Sequence, residues 1–173
     1  MFRKLSMQQL NRLTIYQYQS ADKRPCVLVL DNVRSLHNVG SMFRSADGFG
    51  LSHMYLCGIT GTPPHRDIHK TALGAENSLP WSHHADTAAL CVRLKAEGYR
   101  LIAIEQAEGS VSLSDFKTNP DVKTALIFGN EVDGVSEAVL AHCDHCIEIP
   151  QFGTKHSFNV SVCAGIVLWE LLK

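Results

Sequence analysis

Residues 26–44 decide the fold, and they read Cys-Val-Leu-Val-Leu-Asp-Asn-Val-Arg-Ser-Leu-His-Asn-Val-Gly-Ser-Met-Phe-Arg. The nearly continuous apolar run 26–30 is typical of a strand that is buried on both faces. Residues 38–49 predict a helix because apolar residues recur at helical spacing and glycines follow at its end. Between the two lies a polar loop. This order, a buried strand, a polar loop and a helix, is the basic unit of an α/β fold.

The rest of the chain repeats this unit. Apolar runs predict further strands at 54–57, 101–104, 125–128 and 146–149. Helices are predicted at 68–74, at 87–97 from an amphipathic pattern, at 135–141, and at 159–172 as a long apolar helix. Residues 110–120 and His83-His84 are expected in connections. Alternating strands and helices predict a mainly parallel sheet flanked by helices, with ligands bound beyond the carboxyl ends of the strands.

Length and composition indicate one domain. The 173 residues are enough for a single core that needs no metal or disulfide. No run is long and apolar enough for a membrane span, and the start lacks the apolar stretch of a signal peptide, so we expect a cytoplasmic protein. Most of the six cysteines lie in apolar runs, which favours free, buried thiols in a reducing compartment.

The charge of the chain is unevenly distributed. The net charge is −1, yet residues 1–70 hold nine Lys/Arg and four Asp/Glu, a net +5, which leaves −6 for the remainder. Such asymmetry suggests a half that faces an anion. Charge alone does not distinguish this half from scattered, solvated surface charges.

Three loops, at 31–44, 128–136 and 149–161, carry the residues suited to chemistry. Each follows a predicted strand, is rich in Gly, Asn and Ser, and leads into a helix, so that backbone groups can approach a ligand closely. Taken singly, each loop is also consistent with an ordinary tight turn and helix cap.

Taken together, the three loops resemble the signature motifs of the SpoU (TrmH-type) methyltransferase family, in the same order and spacing over nearly the whole chain. The matching segments are Asn38-Val39-Gly40-Ser41-Met42-Phe43-Arg44, Gly129-Asn130-Glu131-Val132-Asp133-Gly134-Val135 and Ile149-Pro150 with Ser157-Phe158-Asn159-Val160-Ser161. The intervening Lys70-Thr71-Ala72-Leu73-Gly74-Ala75 is similar to a family segment as well. Phe158 departs from the leucine that is usual in the family.

The resemblance implies the SPOUT fold, a mainly parallel sheet flanked by helices with a deep C-terminal trefoil knot. It implies a homodimer with an active site across the interface. It also implies transfer of a methyl group from S-adenosyl-L-methionine to a ribose 2′-hydroxyl of tRNA or rRNA, without a metal. By the same resemblance, the cofactor is contacted by Ile104, Gly129, Ile149, Ser157 and Phe158. The functional polar positions of the family correspond to Asn38, Arg44, Glu131, Ser157 and Asn159.

The residue chemistry fits this interpretation. Arg44 is suited to hold an RNA phosphate and to stabilise negative charge on the attacking oxygen, because a guanidinium stays protonated. We expect Asn38 to begin and cap the helix, with Arg44 on the same side. His37 and His156 remain alternative proton acceptors. Phosphate contacts are expected from the basic half, above all from Arg34, Arg44, Arg66 and Lys70.

The domain is expected to span 1–173 with a short helical N-terminal segment, about 1–24, built on Leu5, Leu10 and Leu13, and with no separate RNA-binding domain. The C-terminal helix is apolar on more than one side, so we expect it to pack against a partner subunit as well as its own sheet.

Three alternatives stay open at this point. The segment Cys143-x-x-Cys146 with its interleaved histidines is consistent with half a zinc site or a redox pair, although no second Cys/His pair lies at finger spacing. A non-catalytic RNA-binding module and an enzyme that methylates a base nitrogen are the rival functions.

Overall fold

A computed structural model describes residues 2–6 and 8–173 of the chain. Seven strands form one parallel sheet in the order β3-β2-β1-β6-β4-β7-β5. The strands are β1 (Arg24–Asp31), β2 (Leu51–Cys57), β3 (Trp81–His84), β4 (Arg100–Ile104), β5 (Val111–Ser112), β6 (Thr124–Phe128) and β7 (His145–Glu148). The helices are α1 (Ile15–Ser20), α2 (Leu36–Gly48), α3 (Arg66–Ala72), α4 (Ala75–Ser78), α5 (Thr87–Ala96), α6 (Glu137–Leu140) and α7 (Val160–Leu172).

The expected sheet flanked by helices is therefore confirmed, while the trefoil knot stays a prediction. Strand β1 lies inside the sheet between β2 and β6, which explains why its sequence is apolar throughout. Alternate side chains of β1 enter two separate cores. Leu28 and Leu30 pack with α2 and α7, whereas Val27 and Val29 pack with α5 and α6.

The register of the sheet brings four strand ends together. Phe128 at the end of β6 lies between Leu30 of β1 and Ile104 of β4, and Ile104 pairs in turn with Ile147 of β7. Because all strands are parallel, the loops that follow them leave the sheet at this single edge. This edge therefore holds all three motif loops.

The N-terminal helix is later and shorter than the leucine pattern predicts. It spans Ile15–Ser20 and is capped by Thr14, and the side chains of Leu5, Leu10 and Leu13 are exposed. An amphipathic pattern forms a stable helix only where its apolar face finds a surface to cover, and these leucines have none within the described residues. Positions 1 and 7 of the expected segment lie outside those residues.

Two edge strands are missing from the sequence-based prediction. His83 and His84 lie in β3 rather than in a loop, and β5 lies in the expected polar connection. β3 carries no apolar run because, as an edge strand, it pairs with β2 alone. Among residues 2–6 and 8–173, no helix has both the length and the apolar character needed to cross a bilayer.

Candidate active site

A pocket of about 460 Å³ opens at the carboxyl edge of the sheet, above β4, β6 and β7. This volume lies in the range of pockets that bind small molecules. Its walls come from the strand ends and from the loops that follow them: Ile104, Glu105, Gln106, Phe128, Gly129, Asn130, Glu131, Val132, Asp133, Gly134, Ile147, Glu148, Ile149, Gln151, His156, Ser157, Phe158, Asn159, Val160 and Cys163.

The loop after β6 is a tight turn whose shape depends on glycine. Asn130 and Gly134 exchange both backbone hydrogen bonds at 2.9 Å, and Asn130 Oδ1 accepts from Val132 N at 2.8 Å. A Cβ on Gly129 would lie 2.0 Å from the carbonyl carbon of Gly134, too close for any side chain. Gly134 also has a φ of +68°. Both glycines are thus required to turn Glu131 toward the first motif loop.

Glu131 joins the second motif loop to the first. Its carboxylate accepts hydrogen bonds from Arg34 N at 2.9 Å, Ser35 N at 3.0 Å and Asn38 Nδ2 at 2.9 Å. Partial removal from water raises the pKa of Glu131, but the donors of Arg34, Ser35 and Asn38 lower it further, and the net shift is downward. Glu131 is therefore an anion that organises the loop leading into α2.

Asn38 joins the first loop to the third. Its Oδ1 accepts from Asn159 Nδ2 at 3.0 Å and from Ser161 Oγ at 3.4 Å. The side chain of Asn159 in turn caps α7 by accepting from Ser161 N at 3.0 Å. The three motifs are consequently connected by a continuous chain of hydrogen bonds, Glu131–Asn38–Asn159.

The expectation that Asn38 caps α2 is wrong. The cap is Ser35, whose hydroxyl accepts from Asn38 N at 3.3 Å, so Asn38 lies one turn inside the helix. Asn38 is buried, whereas Arg44, six residues later on α2, is exposed. The reason is that Asn38 turns toward Glu131 and Asn159, which are remote in sequence.

Gly40, the glycine of the first motif, has a packing role. A Cβ at this position would lie 2.2 Å from the carbonyl oxygen of Ile68 and 2.2 Å from Thr71 Oγ1. Thr71 Oγ1 also donates to the carbonyl of His37 at 2.9 Å. The glycine thus lets α3 lie directly against the start of α2.

Two acidic residues at strand ends escaped sequence reasoning. Asp31, at the end of β1, is buried and accepts from Thr87 Oγ1 at 2.6 Å, from Ser136 N at 3.0 Å and from Ser136 Oγ at 2.8 Å. Glu105 follows β4, lines the pocket and accepts from Val135 N at 3.0 Å. A carboxylate at the carboxyl end of a buried apolar run is the sequence signal that could have found both.

The sequence-predicted residues lie in three groups. All five expected cofactor contacts, Ile104, Gly129, Ile149, Ser157 and Phe158, line the pocket. Asn38, Glu131 and Asn159 form the hydrogen-bond chain at its border. Arg44 lies on an exposed part of α2 and does not line the pocket, and its side chain has no hydrogen bond or ion pair within the described part of the chain.

The expected RNA contacts are exposed. Arg34 offers its side chain to solvent beside the pocket-bordering Glu131, to which its backbone is bonded. Arg66 Nε and Lys70 Nζ both lie near Asp67 Oδ1, at 3.4 and 2.8 Å, so Asp67 offsets part of their charge.

The thiols near the site are not arranged as ligands or nucleophiles. Cys143 Sγ and Cys146 Sγ each donate to a backbone carbonyl at 3.4 Å. Cys163, in the pocket wall, has its pKa raised to about 12 by burial and, secondarily, by Glu105, so it is a neutral thiol near pH 7. No three His, Cys, Asp or Glu side chains of residues 2–6 and 8–173 are grouped suitably for one metal ion.

A parallel sheet whose post-strand loops enclose a pocket and are joined to one another by side-chain hydrogen bonds defines an α/β ligand-binding domain. The profile of the SpoU rRNA Methylase family matches residues 25–169, and the chain belongs to that family. It is 32% identical to the 23S rRNA (guanosine-2'-O-)-methyltransferase RlmB of Neisseria meningitidis over 88% of this chain and 60% of that protein.

Solved structures agree in fold. An AdoMet-bound rRNA methyltransferase from Sinorhizobium meliloti has a TM-score of 0.79 at 28% identity, over 86% of this chain and 56% of that one. The A. aeolicus TrmH/SpoU tRNA modifying enzyme has a TM-score of 0.78 at 25% identity, over 90% and 78%. The chain spans about 60% of the length of the first curated relatives it matches.

Proposed function

We propose that this protein transfers a methyl group from S-adenosyl-L-methionine to a ribose 2′-hydroxyl of tRNA or rRNA. The observation that carries the proposal is the pocket walled by the second and third motif loops, to which the Glu131–Asn38–Asn159 hydrogen bonds join the first. The AdoMet-bound relative from S. meliloti and the 2′-O-methyltransferase RlmB support the same reaction.

The chemistry of the pocket fits the cofactor. Among the described residues that line it, four are carboxylates, Glu105, Glu131, Asp133 and Glu148, and none is Lys or Arg. S-adenosyl-L-methionine carries a sulfonium and an ammonium against one carboxylate, so a negative pocket favours it. Ile104, Ile149 and Phe158 supply the apolar walls that an adenine ring needs.

In this proposal the cofactor supplies an electrophilic methyl group when it is bound, and the chain supplies alignment. Alignment of reacting groups is worth up to about 7–11 kcal/mol in ideal cases. Gly129, Ser157 and the walls hold the cofactor at the strand ends. Glu131 and Asn159, through Asn38, fix the loops that border the place where the ribose must enter.

Arg44 has the proposed role of binding the RNA phosphate and stabilising charge on the attacking oxygen. It lies outside the pocket of its own subunit, which favours an active site that is shared between two copies. The exposed side of α7 fits such a homodimer. Val162 and Trp169 there are 52% and 63% exposed, and a Cβ on Gly165 between them would meet no atom within 4 Å.

Recognition of RNA is proposed for the domain's own surface. Arg34, Arg66 and Lys70 are exposed along the side where α2 begins and α3 packs against it. The loss of each phosphate contact is expected to lower the salt slope of binding by about one unit. A cytoplasmic location is part of the proposal, because the RNA substrates of such an enzyme lie there.

The test is transfer of tritium from labelled S-adenosyl-L-methionine to RNA from a strain that lacks the gene, followed by nuclease digestion. The expected product is a 2′-O-methylated nucleoside in tRNA or rRNA. A methylated base would favour the base-nitrogen alternative. RNA binding without transfer would favour the non-catalytic module, and calorimetry that shows no cofactor binding to folded protein would reject the proposal.

A further inference from the structure

The loop between β7 and α7 presents an aromatic side chain that no part of its own domain covers. Phe152 is 97% exposed, although burial of a phenylalanine is normally favourable. The neighbouring Phe158 lines the pocket, but Phe152 does not. A fully exposed aromatic ring beside a ligand pocket suggests a partner that is itself aromatic or apolar.

The loop that carries Phe152 is closed at its base. The carbonyl oxygen of His156 accepts from Gln106 Nε2 at 2.7 Å and from Gln151 Nε2 at 3.4 Å. Gln151, Gln106 and His156 all line the pocket. The base of the loop thus forms part of the pocket wall, while Phe152, next to the wall residue Gln151, is exposed outside the lining.

The charges along the loop sequence favour one class of partner. Lys155 and His156 follow Phe152, and the chain contains no acidic residue between Glu148 and Glu170. A solvent-exposed ring in a segment with a cation and without carboxylates suits a polyanion with aromatic faces, which is the chemistry of unpaired nucleotides.

We propose that Phe152 is a stacking platform for an unpaired RNA base next to the nucleotide whose ribose enters the pocket. The proposal rests on the proposed RNA substrate and adds a residue that selects unpaired over paired RNA. Gln106 and Gln151 are positioning residues for this platform, because they tie the loop base to the pocket wall.

The experiment compares Phe152→Ala, Phe152→Leu and Phe152→Tyr in the full chain, with Val92→Ala as control. Val92 is 54% exposed on α5, which covers the other face of the sheet, so its loss removes an exposed apolar group far from the pocket. Affinity is measured for labelled bulk tRNA, for 23S rRNA and for a fully paired RNA duplex.

Loss of one base stack should weaken binding to tRNA or 23S rRNA by about 5- to 140-fold in Phe152→Ala. Phe152→Leu keeps an apolar side chain but loses the aromatic face, so it should behave like alanine, whereas Phe152→Tyr should retain binding. The salt slope of binding and the affinity for the duplex should stay unchanged, because neither depends on an unpaired base. The KM for RNA should rise while kcat is retained.

Four results would overturn the proposal: unchanged RNA affinity in Phe152→Ala, an equal loss for the duplex, a loss of cofactor affinity with RNA affinity intact, or conversion to a monomer. The last two would assign Phe152 to the cofactor or to the subunit interface. The stacking role of Phe152 is tested by RNA affinity, which is measured without methyl transfer. The proposed function is tested separately, because it fails if the wild-type protein transfers no methyl group.

Discussion

Replacing Glu131 by glutamine tests the connection between the first two motif loops. The carboxylate accepts three N–H donors, at 2.9, 3.0 and 2.9 Å, and a glutamine has one carbonyl oxygen to offer them. At least one bond is lost and the others lose their charge. A hydrogen bond to a charged group contributes about 1.5–3 kcal/mol and a neutral one about 0.5–1.5.

Because Glu131 is exposed to solvent, we expect the free energy of unfolding to fall by about 1–3 kcal/mol in total, less than the sum of three hydrogen bonds to a charged group. For a domain of this size, that loss lowers the melting temperature by roughly 2–12 °C. The matched control is Glu108→Gln, since Glu108 is exposed and makes no hydrogen bond within the described residues. Equal melting temperatures for the two variants near pH 7 would refute the reasoning.

The same comparison has a pH dependence of known sign. The pKa of Glu131 lies below its ordinary value of 4.5, so its contribution to stability is present above pH 4.5 and is lost as the pH falls through the lowered pKa. The difference between wild type and Glu131→Gln should therefore be constant at neutral pH and close in the acid range. A difference that persists unchanged as the pH falls through the acid range would assign the effect to packing instead.

Four further results are expected. Arg44→Ala should change the free energy of unfolding by less than about 0.5 kcal/mol. It should nevertheless reduce the rate of methyl transfer by roughly 10²–10³ with normal cofactor affinity, and Arg44→Lys should restore little of that rate. Near-normal transfer by Arg44→Ala would contradict the proposed role of Arg44. Gly165→Ala should stabilise an isolated subunit by about 1 kcal/mol, because alanine has the higher helix propensity, but weaken a dimer that packs closely on α7. Sedimentation at several protein concentrations shows whether the dimer is weakened. Charge reversal at Arg34 and Arg66 should weaken RNA binding and flatten its salt dependence, and unchanged affinity and slope would exclude both contacts. Asp31→Asn should lower the free energy of unfolding by about 1–3 kcal/mol in denaturant titration, because Asp31 is buried and one of its donors, Thr87 Oγ1 or Ser136 N, is left unpaired. An unchanged free energy of unfolding would contradict the anchoring role of Asp31.

The sequence predicted the interior of the sheet well because burial on both faces leaves a visible apolar run. β1, β4 and β6 were found in this way. β3 and β5 were missed because an edge strand needs no such run, and Trp-Ser-His-His in β3 contains none. The limits of α1 were missed for the opposite reason, since an apolar pattern was present without a surface to cover.

The pocket was located by the rule that ligands bind beyond parallel strand ends, but the contacts that hold it together were not visible in the sequence. Asn38 bonds to residues 93 and 121 positions away, and no local pattern reports such pairs. An asparagine near a helix start suggests a cap, and the serine three positions earlier took that role instead.

The direction of the Asn38 amide connects the pocket wall to the loop that carries Arg34. A carboxylate only accepts, so the group that faces Glu131 must be the Nδ2 donor, and Oδ1 is left to accept from Asn159. An aspartate at position 38 would set two carboxylates against each other, and an alanine would leave both neighbours unpaired. The carboxylate that orients Asn38 also holds the backbone of Arg34, whose side chain faces the proposed RNA. A change at either end of this chain of hydrogen bonds is therefore expected to move a wall of the pocket and the backbone of Arg34 together. On the proposed function, the same bonds would position both the methyl donor and the RNA acceptor.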